Sequence, residues 1–136
     1  MADMTETIDR ILASQTFAVV GASANTGKYG YKVWKMLRER GKTAFAVNPN
    51  ASEIEGEPVY PTLADLPIRP DAVVAVVPPF VTETLPAQLA AYKIKYLWIQ
   101  PGAASDRAVA DAEASGVEVV HGGPCILVGL RTHFGS

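Results

Sequence analysis

TFAVVGASANTGKYGYKVWKML, residues 16–37, decides the fold. TFAVV, 16–20, is an apolar run of the length and composition of a buried strand. GASANTGKYG, 21–30, places three glycines and a lysine after it. Gly30, Val33, Trp34 and Leu37 then recur at i, i+3, i+4 and i+7, the spacing of one helix face. A strand, a glycine-bearing turn and a helix open a β-α-β unit.

The alternation continues outward from that unit. Ile8, Ile11 and Leu12 share one face of a short helix over about 5–13. Arg38 and Arg40 suit the end of the helix after the glycine turn, and Gly41 stops it. TAFAV, 43–47, is a second strand, cut off by Asn48-Pro49-Asn50. Residues 50–71 hold four prolines, with room for a short strand near 58–60 and a helical turn near 62–66. DAVVAVV, 71–77, is the strongest strand and meets Pro78-Pro79. Leu85, Leu89 and Tyr92 mark a helix face, with Pro86 in the first turn. KYLWIQ, 95–100, ends at Pro101-Gly102. Ser105 caps a helix that contains Val109 and Ala112 and closes at Gly116. VEVV, 117–120, is the last clear strand, and the tail 121–136 is ambiguous.

Near-continuous Val, Ile, Leu and Ala strands between helices predict an α/β fold. The sheet is expected to be Rossmann-like, doubly wound and mostly parallel, of five to six strands, with helices on both faces. Right-handed crossovers give the order 3-2-1-4-5. Strand 16–20 then lies beside strand 72–77, and a ligand is expected at that switch point, at the carboxyl ends of the strands. Residues 1–136 are expected to form one such domain, since the sequence contains no repeat, linker or composition shift.

Composition bounds the partners. Apolar residues are 49% and charged residues 19%, which suits a chain that buries a core. A formal net charge of -2 gives no overall attraction to nucleic acid or to an anionic membrane. One cysteine, Cys125, fits a reducing compartment, and MADMTETIDR lacks the order of an export signal. A cytoplasmic protein is the expectation.

The glycine turn completes neither of two phosphate motifs. G-x-G-x-x-G fails because Ala22-Ser23 follows Gly21 and the next glycines are Gly27 and Gly30. The acidic residue that dinucleotide sites place at the end of the second strand is replaced by Asn48. The P-loop fails because five residues separate Gly21 from Gly27, and Tyr29 stands where a hydroxyl should bind magnesium. A glycine turn into a helix N-terminus still favours an anion, with Ser23, Thr26 and Lys28 as added donors. A tight turn with solvated polar residues is the competing reading, and the loop alone leaves both open.

Read together, the loops narrow the choice. GAS at 21–23, VNPN at 47–50, IEGEPVYPTLADLP from 54, VVPPF at 76–80 and LWIQPGAAS from 97 follow in that order. From about Thr16 to Val120 the chain resembles the small stand-alone CoA-binding proteins. Their domain is similar to the CoA-binding domain of the succinyl-CoA synthetase alpha subunit. The resemblance implies coenzyme A as the ligand. Gly21, Ala22 and Ser23 would meet its phosphates, with Lys28 as a charge partner. Asn48 and Pro49 would border the adenosine end. Val77, Pro78 and Pro79 would flank the nucleotide or the pantetheine arm. Gln100, Pro101 and Gly102 would close the other side. A carboxylate in place of Asn48 would repel the ribose phosphate of CoA.

No phosphorylated histidine carries over, because the catalytic histidine of the synthetase lies in a further domain. His121 reads as a loop histidine without chemistry and Cys125 as a buried thiol. Asp3, Glu6 and Asp9 read as a solvated helix face, and Glu53, Glu55 and Glu57 as part of an irregular loop. No catalytic set and no metal are expected. Trp34 and Trp98 read as core. The resemblance thus points to binding of CoA or an acyl-CoA without catalysis, with an acyl-CoA enzyme as a possible partner. The rival is an NAD(P)-binding oxidoreductase or redox-sensing module, against which Asn48 and the glycine spacing both count.

Overall fold

The computed structural model describes residues 4–133. In chain order these form α1 (Met4–Ala13), β1 (Thr16–Val20), α2 (Tyr29–Glu39), β2 (Thr43–Val47), β3 (Glu53–Ile54) and β4 (Glu57–Tyr60). A 3-10 turn (Leu63–Asp65) precedes β5 (Ala72–Ala75), α3 (Pro79–Thr82) and α4 (Leu85–Tyr92). β6 (Tyr96–Ile99), α5 (Asp106–Ala114), β7 (Glu118–Val120) and α6 (Ile126–His133) follow. Asp3 lies outside the described residues.

The strands form one sheet in the order β3-β4-β2-β1-β5-β6-β7. Every neighbouring pair is parallel except β3 with β4. The architecture is the doubly wound α/β sheet that the alternation predicts. It has seven strands where five to six are expected. The added strand, β3, is two residues long and too short to carry a periodic pattern. It exists because the turn at Glu55-Gly56 folds Glu53 and Ile54 back onto Pro58 and Glu57. Both turn residues have positive φ, 51° and 80°. Glu53, Glu55 and Glu57 therefore belong to a hairpin rather than to an irregular loop. Two of them tie it to α2. Lys35 Nζ lies 2.6 Å from Glu55 Oε1, Arg38 Nη1 lies 3.6 Å from Glu57 Oε1, and the Tyr31 hydroxyl donates to Glu55 Oε2.

β1 lies at the centre and is buried on both faces, which explains its unbroken apolar sequence. Phe17 and Val19 point to a layer with Ile11 and Leu12 of α1, Trp34 and Leu37 of α2, and Ile126 and Leu130 of α6. Ala18 and Val20 point to the opposite layer, with Leu85 and Leu89 of α4 and Ala112 of α5. Full burial of each such leucine contributes about 2 kcal/mol of transfer free energy. Trp34 and Trp98 are core residues at 1% exposure, and their indole N–H groups donate to the carbonyls of Ala44 and Pro124. Tyr92 departs from its predicted face: it is 41% exposed, while Leu85 and Leu89 carry the packing of α4. β5 stops at Ala75, two residues short of the apolar run, so Val76 and Val77 belong to the loop.

Candidate functional site

At the carboxyl ends of β1, β2 and β5 the loops surround a cleft of about 730 Å³. Gly21 begins it. Its N–H donates to Val47 O at 2.9 Å and its φ is +99°, which binds the end of β1 to that of β2. A Cβ on Gly21 would stand 2.1 Å from Val76 O, so the loop leaving β5 closes against the same residue. Ser23 Oγ accepts from Asn25 N–H and Asn25 Oδ1 accepts from Gly27 N–H, both at 3.0 Å, so short turns hold the loop. Accepting that bond leaves the Ser23 hydroxyl proton available to donate. Lys28 is the N-cap of α2, in extended conformation, and its side chain makes no capping hydrogen bond to the first amides of the helix. Those amides and the helix dipole favour an anion at this edge.

Asn48 has a defined structural part. Its Nδ2 donates to Ala22 O at 2.9 Å and its Oδ1 accepts from Asn50 N–H at 2.8 Å. The residue that replaces the dinucleotide carboxylate thus latches the β1 loop to the β2 loop. A carboxylate there could not donate to Ala22 O.

Seven of the twelve predicted site residues line the cleft: Gly21, Ser23, Lys28, Asn48, Pro49, Val77 and Pro78. Pro101 and Gly102 line a smaller hollow of about 260 Å³, joined to the cleft along Val76, Val77 and Pro78. Ala22 lies fully buried beneath the loop, and Pro79 is an exposed first residue of α3. Gln100 lines neither hollow. It is 3% exposed, its Oε1 accepts from Ile126 N–H at 2.7 Å, and its Nε2 donates to Cys125 Sγ at 3.3 Å. It therefore caps α6, the helix formed by the ambiguous tail. Cys125 is half-buried rather than buried, and His121 lines neither hollow.

Two aromatic residues at the cleft are given no binding role by the sequence. Tyr29 is 60% exposed beside Lys28, and Phe80 is 72% exposed directly after Pro78-Pro79. An exposed aromatic adjoining a predicted loop is the signal that would have found them. Among the described residues Lys28 is the one cation lining the cleft, and no carboxylate lines it. The remaining lining is largely apolar, with Val20, Val47, Val76 and Val81 contributing. A single positive group above apolar walls suits a ligand with an anionic part and a long, weakly polar part.

Residues 15–131 match the family described as CoA binding domain. Over 71 residues, 52% of this chain, the sequence is 39% identical to the ADP-forming acetate–CoA ligase I of Archaeoglobus fulgidus. The chain spans only 10% of that ligase. A solved structure of a conserved hypothetical protein from Pyrococcus furiosus has 40% identity and a TM-score of 0.78. It covers 84% of this chain and 97% of its own. A hypothetical protein from Pyrococcus horikoshii has 28% identity and a TM-score of 0.89, over 96% of this chain and 92% of its own. Membership of the family that the loop motifs resemble is thereby established: the chain belongs to the CoA-binding domain family.

Proposed function

We propose that the chain binds coenzyme A, or an acyl-CoA, in the cleft between the ends of β1, β2 and β5. The carrying observation is a cleft lined, among the described residues, by one cation and no carboxylate, with the N-terminus of α2, which the Lys28 side chain does not cap, at its rim. The phosphates meet Gly21, Ser23 and Lys28, with Ala22 shaping the turn from below. The adenosine end lies by Asn48 and Pro49. The pantetheine arm follows Val77, Pro78 and Pro79 toward Pro101 and Gly102. Gln100 contributes by holding α6 rather than by touching ligand. Binding without catalysis is the proposal, because among the described residues Lys28 and Tyr29 are the only titratable side chains lining the cleft.

The whole chain acts in this reading as one CoA-binding domain of the cytoplasm. Its likeness to a small part of a much longer acetate–CoA ligase supports a further element of the proposal, a partner enzyme of acyl-CoA metabolism. Among the described residues no helix is long and apolar enough to cross a membrane.

Parallel calorimetric titrations with CoA, acetyl-CoA, NAD and NADP test the assignment. CoA is expected to bind at least about tenfold more tightly than either dinucleotide, a difference of ~1.4 kcal/mol. NAD(P) binding without CoA binding would replace this reading by the dinucleotide one.

A further inference from the structure

The opposite end of the sheet carries a second concave surface with a different character. Where the chain enters β1, β5 and β6, a hollow of about 420 Å³ is bordered by Arg69, Lys93, Lys95 and Tyr96. An adjoining hollow of about 260 Å³ shares Arg69 and Pro70 with it and is lined by Leu66, Ile68, Tyr92 and Ile94. Ile68 is 54% exposed and Tyr92 is 41% exposed. One continuous corner is thus basic on one side and apolar on the other.

Its charge is uncompensated. Arg69, Lys93 and Lys95 are exposed, and among the described residues none has a carboxylate within ion-pair distance. Arg10, the fourth cation at the rim, already faces Glu118 at 2.7 Å and Glu6 at 3.4 Å. Among the described residues Asp71 is the one carboxylate of the hollow. Its Oδ2 accepts from the N–H groups of Gln15 and Thr16, at 3.2 and 3.1 Å, and so serves the amino end of β1. Three neighbouring free cations stand out on a chain of formal net charge -2.

Lys93 adds a second observation. It ends α4 in the left-handed conformation, with φ of 58° and ψ of 41°. Glycine or asparagine adopts that conformation at lower cost. The helix dipole favours a cation near this end, but one in the last turn would serve it without backbone strain. Retaining a lysine at the strained position keeps its ammonium group at the rim of the hollow.

We propose that this corner docks an acidic segment of a partner protein. Carboxylates of the segment face Arg69, Lys93 and Lys95, and an apolar side chain enters the hollow beside Ile68 and Tyr92. Charge complementarity selects the acidic partner. The apolar half favours a peptide over a nucleic acid, whose phosphate backbone would leave it unfilled. The surface lies at the opposite end of the strands from the proposed CoA cleft, so its occupancy is independent of that assignment.

Amide resonances of the isotope-labelled full chain, titrated with a synthetic octapeptide of glutamates around two central leucines, test this. Saturable shifts are expected at Arg69, Asp71, Lys93 and Tyr96, with Gly21 and Gly27 unmoved. K93E/K95E and, separately, Ile68→Ser should each weaken the peptide about tenfold, while the Gly21 and Gly27 resonances report an intact fold. Absence of these shifts overturns the proposal, as does equal binding of a lysine-for-glutamate peptide. An oligonucleotide that saturates the same amides at lower concentration would assign the corner to nucleic acid instead. Unchanged affinity in Ile68→Ser would remove the apolar anchor and with it the stated partner.

Discussion

Gly30 stands directly against the carbonyl of Gly21: a Cβ on Gly30 would lie 2.0 Å from that oxygen and 3.2 Å from Ala22 Cα. Both obstacles are backbone, so no side-chain rotation relieves them. The first turn of α2 can press onto the end of β1 only because residue 30 is glycine. Gly30→Ala is expected to destabilise the chain by about 3 kcal/mol in urea unfolding. Gly27→Ala, whose Cβ would meet only Asn25 Oδ1 at 3.4 Å, should change stability by less than about 0.5 kcal/mol. Equal stability of the two variants would show that the contact relaxes freely.

Asn48→Asp tests how the β2 end selects its ligand. The change removes the amide that donates to Ala22 O and leaves a carboxylate facing that oxygen. CoA affinity is expected to fall at least about tenfold, ~1.4 kcal/mol, in calorimetry, without NAD binding appearing. Acquired NAD affinity would mean that a carboxylate at this point suffices to recruit a dinucleotide.

Lys28→Ala tests the phosphate end. A charge-assisted contact to phosphate contributes about 1.5–3 kcal/mol. CoA should weaken about tenfold or more, and the loss should shrink as salt is raised. Pantetheine, which carries no phosphate, should be unaffected. Equal loss for both ligands would remove Lys28 from the phosphate site.

Gln100→Ala separates support from contact. The buried Ile126 N–H would lose its acceptor, at a cost of about 1–3 kcal/mol. Amide exchange should quicken in α6 first. CoA affinity should stay within about twofold, because the side chain faces α6 rather than the cleft. A large loss of CoA binding with stability unchanged would place Gln100 at the ligand after all.

The hairpin tie predicts a pH window. Hydrogen bonds from Lys35 and Tyr31 hold the Glu55 carboxyl below its ordinary value of 4.5. Its contribution is present above the unfolded value and is lost as pH falls through the lower folded one. The hydrogen bond to Glu55 raises Tyr31 above 10.0 and Lys35 above 10.5. Their contributions are present below those values and are lost as pH rises through the higher folded ones. The tie is therefore intact between the carboxylate and phenol ranges. Tyrosinate absorbance should show Tyr31 ionising at lower pH in Glu55→Gln, and the acid limb of stability should become shallower. An unmoved Tyr31 titration would mean that the bond does not persist in solution.

The apolar periodicities of 16–20, 30–37, 43–47 and 71–77 determined the sheet, because burial on one or both faces leaves a pattern in the chain itself. Stops at Gly, Pro and Asn determined which loops gather at the carboxyl ends, since those residues break the regular backbone where it must turn. Ser105 was legible as a cap for the same local reason, and its Oγ accepts from Ala108 N–H at 3.0 Å.

What the tertiary structure decided is where polar side chains at the loops are directed. Gln100 stands in a motif that suggests a ligand contact, yet its Oε1 accepts from Ile126 N–H, brought there by α6 from 26 residues further along the chain. Asn48 reads as a missing carboxylate and serves as the latch between two loops. β3 arises only when β4 is present to pair with it. Phe80 and Tyr29 become part of a cleft only when α2 and α3 approach the same strand ends. Each depends on a partner distant in sequence. Local propensity records whether a residue prefers to be buried or to turn, but the group that satisfies its hydrogen bonds is chosen by packing.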